Sequence, residues 1–462
     1  MKMIAEKCLI MNYPKREGKL RGIFLGGILM ITKIKADRHY LFDPAAHIVM
    51  RVEINGKPNI LTLKKAIVWA VAKHDILNCT IKMDAKGDCY YVPRDYAYIP
   101  KIEVCKGIVN TNEIVNKQCR KEFKIDKGDI VRFVIAYDEN HVELNVIQHH
   151  LGGDGKSMLI LIQDIMDNLS HPEKLNLIED NQERCVEVYD DDYDEQFVEL
   201  NEVMEQALNS MNKRWKAEKK VFHYDDREKV FNSFWANKKV KDKELELKKE
   251  ELHILLRACR EHNVTLNNLI ATIINKSLVQ AERMGIIADV REEDNRKMGN
   301  YVDVFMLEEN YDYTKDLWEN VRHIDDLAKK HLEDRTQLLL GNLVRNKIEN
   351  GLQDANHFYD YDNSIVDEYN DNFFVGKDGL PIILTNIGVA PIKKQYGDYG
   401  IEKIQFISPL SLRTYCNIAV ITINDILILN MLIFEGEEKY EKMFDKMKEE
   451  IETIIKGSES EK

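Results

Sequence analysis

Two apolar runs, Val131–Tyr137 (VRFVIAY) and His141–Ile147 (HVELNVI), flank Asp138-Glu139-Asn140, and the second continues through Gln148-His149-His150 into Leu151-Gly152-Gly153-Asp154-Gly155. This segment constrains the fold more than any other. Such runs belong in buried strands, the polar break between them signals a hairpin, and the glycine cluster ends the second strand. Ser157–Leu169 (SMLILIQDIMDNL) then has the composition of a mostly buried helix. A strand feeding a helix through a tight turn implies a mixed α/β fold, and it presents whatever side chain stands at the strand end.

The rest of the chain continues this mixture. Leu61, Leu63, Ala66, Ile67, Ala70 and Val71 are spaced for a helix ending near His74, and short strands are expected at 80–82 and 88–92. Leu245–Glu261 reads as a helix, followed by a second one capped by Thr265 and running to Leu278. Strand composition returns at Tyr301–Leu307, at Leu380–Thr385 and twice within Tyr415–Phe434, where Asn424-Asp425 supplies the turn. Glu438–Ile455 has the apolar stripe of a surface helix.

A chain of 462 residues exceeds one ordinary core. The expected organisation is an N-terminal extension over 1–29, an N-terminal lobe over 30–180, a C-terminal lobe over 181–456 and a disordered tail over 457–462. The acidic stretch around Asp190–Glu195 marks the connection between the lobes. Met30 is the expected start of translation, because Gly26-Gly27-Ile28-Leu29 can be encoded by a ribosome-binding sequence just ahead of it. The competing explanation, a short signal peptide built on Ile23–Ile31, lacks a small-residue cleavage site.

Counting 66 basic against 79 acidic residues gives a net charge of −13, which argues against a chain whose main task is gripping nucleic acid or an anionic membrane. The eight cysteines are scattered, with no CxxC pair and no zinc-type spacing, so reduced thiols in a cytoplasm are expected. No run reaches the roughly 18 apolar residues that a membrane helix requires.

Adjacent histidines at a strand end, followed by glycines, suit proton transfer. Imidazole titrates near neutrality, so His150 can accept a proton without carrying a permanent charge. Gly152, Gly153 and Gly155 remove side chains where a substrate must come close. Asp154 opens the helix and is expected to cap it or to pair with an arginine. A metal is not expected, because neighbouring strand residues point to opposite faces. Gly155-Lys156-Ser157 ends like a phosphate-binding loop, but His150 occupies the position of the required first glycine. The chain also lacks a GxSxG elbow and an HExxH helix.

His149-His150-Leu151-Gly152-Gly153-Asp154-Gly155 resembles the HHxxxDG signature of the chloramphenicol acetyltransferase-like superfamily, which includes peptide-synthetase condensation domains, alcohol acetyltransferases and polyketide-associated acyltransferases. Asp289-Val290-Arg291, Gly299-Asn300-Tyr301-Val302-Asp303 and Leu384-Thr385-Asn386-Ile387-Gly388 are similar to further segments of that family, in the family's order. The DFGWG segment of its plant-type branch is missing.

The resemblance implies two lobes of mixed sheets with helices, set in a V around a central tunnel. It implies acyl transfer from a coenzyme A or carrier-protein phosphopantetheine thioester to an alcohol or amine, with His150 as general base and no bound cofactor. His149, Gly153 and Gly155 would support the motif, Asp154 would pair with Arg291, and Asn386, Gly388, Ser411 and Arg413 would line the tunnel. Two alternatives remain beside this one. One is a freestanding condensation domain that joins carrier-bound substrates through an amide; the other is a scaffold that keeps the fold without catalysis.

Overall fold

A computed structural model of the protein describes residues 29–460 apart from 95–97, 108–110, 140, 175–183, 186–199, 293–294, 359–360 and 374–378. The leader expected before Met30, apart from Leu29, and most of the acidic connection fall outside the described residues.

Following the chain, strand β1 (His47–Asn55) leads to helix α1 (Ile60–Lys73). Asn59 starts that helix by accepting the backbone N–H groups of Leu61 and Thr62, and Leu63, Ala66, Ile67, Ala70 and Val71 are its buried stripe. Strands β2 (Lys101–Lys106), β3 (Val131–Tyr137) and β4 (Val142–His149) follow, then helix α2 (Gly155–Ser170), which packs on α1.

The second half contributes β5 (Val240–Leu247), α3 (Lys249–Glu261), α4 (Leu266–Ser277), β6 (Met284–Asp289), β7 (Val302–Leu307), α5 (Arg335–Lys347), β8 (Ile382–Val389), β9 (Tyr399–Ile407), β10 (Cys416–Ile423), β11 (Ile426–Phe434) and α6 (Glu438–Ser460). Thr265 caps α4 by accepting from Asn268 N at 3.2 Å. Asn424 and Asp425, with φ of 54° and 61°, make the tight turn between β10 and β11.

Two six-stranded sheets result, both mixed. The first runs Gln395–Tyr396, β9, β1, β4, β3, β2, and the second runs β5, β11, β10, β8, β6, β7. In the first, β4 lies antiparallel between β1 and β3, and every one of its residues is buried. In the second, β10, β8 and β6 run parallel. A three-stranded sheet made of Thr32–Lys33, Cys89–Pro93 and Cys79–Met83 stands beside the first.

Three sequence expectations are revised here. Leu245 and Leu247 were placed in a helix; they belong to β5, where the alternation in KDKELEL turns both leucines inward and the strand pairs along its whole length with β11. The helix begins only after Lys248. Helix α6 takes in residues 457–460 of the tail expected to be disordered. Strand β9, within the 181–456 half, pairs with β1 and so belongs to the sheet of the first half.

Candidate active site

The end of β4 is fixed by the backbone on both sides. His149 N donates to Ile130 O at 2.8 Å and His150 N to Ala46 O at 2.9 Å. One short turn of 3-10 helix, His150–Gly152, then carries the chain toward α2. Gln148 Nε2 donates to Gly153 O at 3.1 Å and Tyr91 donates its hydroxyl to Leu151 O at 3.0 Å, which pins the turn from within and from the small sheet. Gly153 has φ of +119°, and a Cβ there would lie 2.7 Å from Ser157 Cβ, so this position needs glycine twice over.

The two histidines take different surroundings. His149 is buried at 1% exposure, opposite His47 in the sheet register and edge-on to Phe123, with ring centroids 5.7 Å apart. Its Nδ1 accepts Leu151 N at 3.2 Å, and burial holds its pKa well below the ordinary imidazole range. It is a neutral strut of the turn.

His150 instead lines a cavity of about 820 Å³. Tyr40 stacks on its ring at a centroid distance of 4.2 Å and an interplanar angle of 2°. Its Nδ1 lies 2.8 Å from Asn300 Oδ1. The Asn300 amide has one orientation, since its Nδ2 donates to His150 O at 2.8 Å and to Asp37 Oδ1 at 3.1 Å. Asn300 therefore offers an acceptor to Nδ1, the proton of neutral His150 sits on Nδ1, and Nε2 is the basic nitrogen. Burial lowers the His150 pKa, while the Asn300 hydrogen bond and the Asp154 charge oppose that shift.

Asp154 turns away from this chemistry. Its Oδ1 caps α2 by accepting Ser157 N at 2.8 Å, its Oδ2 accepts Tyr301 N at 3.0 Å, and both oxygens lie 3.1 Å from Arg291 Nη2. Ser157 Oγ and Asp154 N both bond Gly299 O, at 2.8 Å and 3.1 Å. Arg291 also lies over the Tyr301 ring, 4.0 Å from its centroid. The loop joining β6 to β7 in the second sheet is thereby fastened to the β4–α2 turn of the first, and Asn300 rides on that loop.

The cavity lies between the sheets: Ile48 and Phe406 come from the first, and Ile287, Val304, Thr385 and Asn417 from the second. Gly155, Ser411 and Arg413 line it as well. Arg413 donates through Nη1 to Asn356 Oδ1 and Asn370 Oδ1, each at 2.7 Å, and Ser411 Oγ lies 3.1 Å from Thr414 Oγ1. Asn386 and Gly388 do not line it. The pleat of β8 turns Ile383 and Thr385 to the cavity and leaves Asn386 to meet Asn267, 3.2 Å away, while the Asn386 Oδ1 accepts Gly388 N. Tyr40, Asp37 and Asn300 complete the surroundings of His150 without having been singled out as site residues. Of these, Asn300 alone carried a signal, its place in Gly299-Asn300-Tyr301.

Among the described residues, no cluster of three or more histidine, cysteine or carboxylate side chains is arranged to hold a metal ion. No described helix is long and apolar enough to cross a membrane.

Residues 27–282, more than half of the 462, match the family model of the condensation domain. The chain belongs to the condensation-domain family. Solved structures similar to this condensation-domain chain include trichothecene 15-O-acetyltransferase TRI3 from Fusarium sporotrichioides, with 11% identity and a TM-score of 0.64 over 92% of this chain and 96% of that one. Polyketide synthase associated protein 5 from Mycobacterium tuberculosis has 13% identity and a TM-score of 0.59, over 91% and 98% of the two chains. The EpoB cyclization-docking bidomain from Sorangium cellulosum has 13% identity and a TM-score of 0.59, over 92% and 84%. At such identities the likeness shows the fold, which is that of the chloramphenicol acetyltransferase-like superfamily. No curated protein matches the sequence.

Proposed function

We propose that this condensation-domain chain is an acyltransferase that moves an acyl group from a coenzyme A or carrier-protein phosphopantetheine thioester to an alcohol or amine. The observation that carries the proposal is His150: its proton is held on Nδ1 by Asn300, and its basic Nε2 belongs to a neutral ring on the wall of a cavity of about 820 Å³ that lies between the two sheets.

In this reaction Nε2 takes the proton of the acceptor O–H or N–H as the heteroatom attacks the thioester carbonyl carbon. The tetrahedral adduct collapses with cleavage of the C–S bond, and the imidazolium returns the proton to the departing thiolate. A thioester is already activated, so alignment and one proton relay account for the catalysis. Asp154 and Arg291 hold the turn and the Asn300 loop in register, and Tyr40 holds the ring plane. His149 supports the turn.

The family membership and the fold support a second reading, amide formation between two carrier-bound substrates. Thiol release from a panel of acyl-CoA donors, run beside carrier-loaded donors with alcohols and amines, separates the two. In either case His150→Ala is expected to lower turnover by roughly a hundredfold to ten-thousandfold. Turnover equal to that of the wild type would remove the general-base role; thiol release from no donor in the wild type would leave a scaffold of the same fold.

A further inference from the structure

Arg345 lines the same cavity as His150 and has no counter-ion among the described residues. It stands on α5, which packs against the Ala36–Tyr40 turn that carries Tyr40. After burial, its charge is the main cause that holds His39 well below the ordinary imidazole pKa. The His39 ring lies 3.8 Å from that of Tyr40, and Tyr40 stacks on His150. Arg345 and His150 thus line one cavity, with the His39 and Tyr40 rings packed in the turn beside α5.

Its hydrogen bonding is incomplete. Nη2 donates to Asn342 Oδ1, while Nε is buried with no partner. Three acidic lining residues have other partners: Asp37 accepts from Asn300 Nδ2, Asp43 accepts Ala45 N at 2.8 Å, and Asp303 lies 3.3 Å from His331 Nε2. A guanidinium presents a planar fork of donors that matches a carboxylate in shape and charge, and leaving such donors desolvated and unmatched is costly.

We propose that Arg345 binds a carboxylate carried by one of the substrates. Two sources share this chemistry, a hydroxy-acid or amino-acid acceptor and a dicarboxylic acyl chain. The assignment of roles to the two substrates rests on the acyl-transfer reading; the binding of a carboxylate does not.

The test measures equilibrium binding by ligand-observed NMR to the full-length wild type, His150→Ala, Arg345→Gln and Arg345→Lys. The acceptor arm compares 3-hydroxybutyrate with its methyl ester, and the donor arm compares S-succinyl-pantetheine with S-butyryl-pantetheine. In one arm the acid is expected to bind the wild type and His150→Ala about ten to a hundred times more tightly than its neutral partner, the range for a charged hydrogen bond. Arg345→Gln should abolish that preference and Arg345→Lys should keep part of it. The arm that shows it identifies the substrate. Equal or absent binding of acid and neutral partners in both arms overturns the proposal. So does an unchanged preference in an Arg345→Gln protein that melts like the wild type. Absence of thiol release from every acyl donor in the wild type would sink the acyl-transfer reading while leaving this binding result intact.

Discussion

At the level of single residues, the site depends on which nitrogen of His150 is basic. Asn300 settles that choice, and its own orientation is settled by His150 O and Asp37. Burial lowers the His150 pKa, so the neutral, active ring persists to more acidic pH than a free imidazole. The acid limb of kcat/KM is accordingly expected below pH ~6.5, the unperturbed imidazole value. Asn300→Ala removes a bond that stabilises the charged ring, so its limb should move to still lower pH. The same change frees the tautomer and should cost about three- to tenfold in kcat, the value of one ordinary hydrogen bond. A pH–rate profile of both proteins checks this, and an acid limb that moves upward in Asn300→Ala would contradict the assignment.

At the level of elements, the site is a joint between two loops from different sheets. Asp154 caps α2 and pairs with Arg291, with side-chain exposures of 4% and 6%. Removing Arg291 leaves a buried carboxylate with backbone and hydroxyl donors only, so Arg291→Ala is expected to lose about 3 kcal/mol of unfolding free energy. Adding Asp154→Asn should recover part of that loss, because it removes the stranded charge. Urea denaturation of the two variants tests the pairing; an Arg291→Ala protein as stable as the wild type would show that the pair contributes nothing to the joint.

This joint also explains how much the sequence reveals. His149 to Gly155 are contiguous because a strand, a tight turn and a helix cap need neighbouring residues, so that half of the site is legible as a string. Arg291 and Asn300 lie more than a hundred residues further on, and only the family resemblance drew attention to their segments. Tyr40 and Arg345 reach the cavity through packing of the Ala36–Tyr40 turn and α5, which leaves no periodic mark. Asn386 was misplaced because a motif gives an address along a strand without saying which face of the pleat a side chain takes. Leu245 was misplaced for a related reason: a short alternating edge strand running directly into α3 blurs period two into period 3.6.

At the level of the whole molecule, the two halves are bound together by more than the site. Strand β9 pairs with β1 over most of its length, from Gly400 opposite Asn55 to Ile407 opposite Val49. The larger buried cluster draws residues from Ile34 through Phe434. Arg38 and Asp354, each 1% exposed, form a buried ion pair that links the start of the described chain to the helix at Asn350–Ala355. Residues 1–180 alone would leave β1 as an unpaired edge and Arg38 without its carboxylate, a combination that favours aggregation and strands a charge. Expressed alone, that fragment is expected to be insoluble or to melt without a cooperative transition, and co-expression with residues 181–462 should restore a single sharp one. A soluble, monomeric 1–180 fragment with its own two-state melt would show that β9 is an accessory to an independent lobe. In that event the joint at Asp154 and Arg291 would be the principal contact aligning His150 with the second sheet.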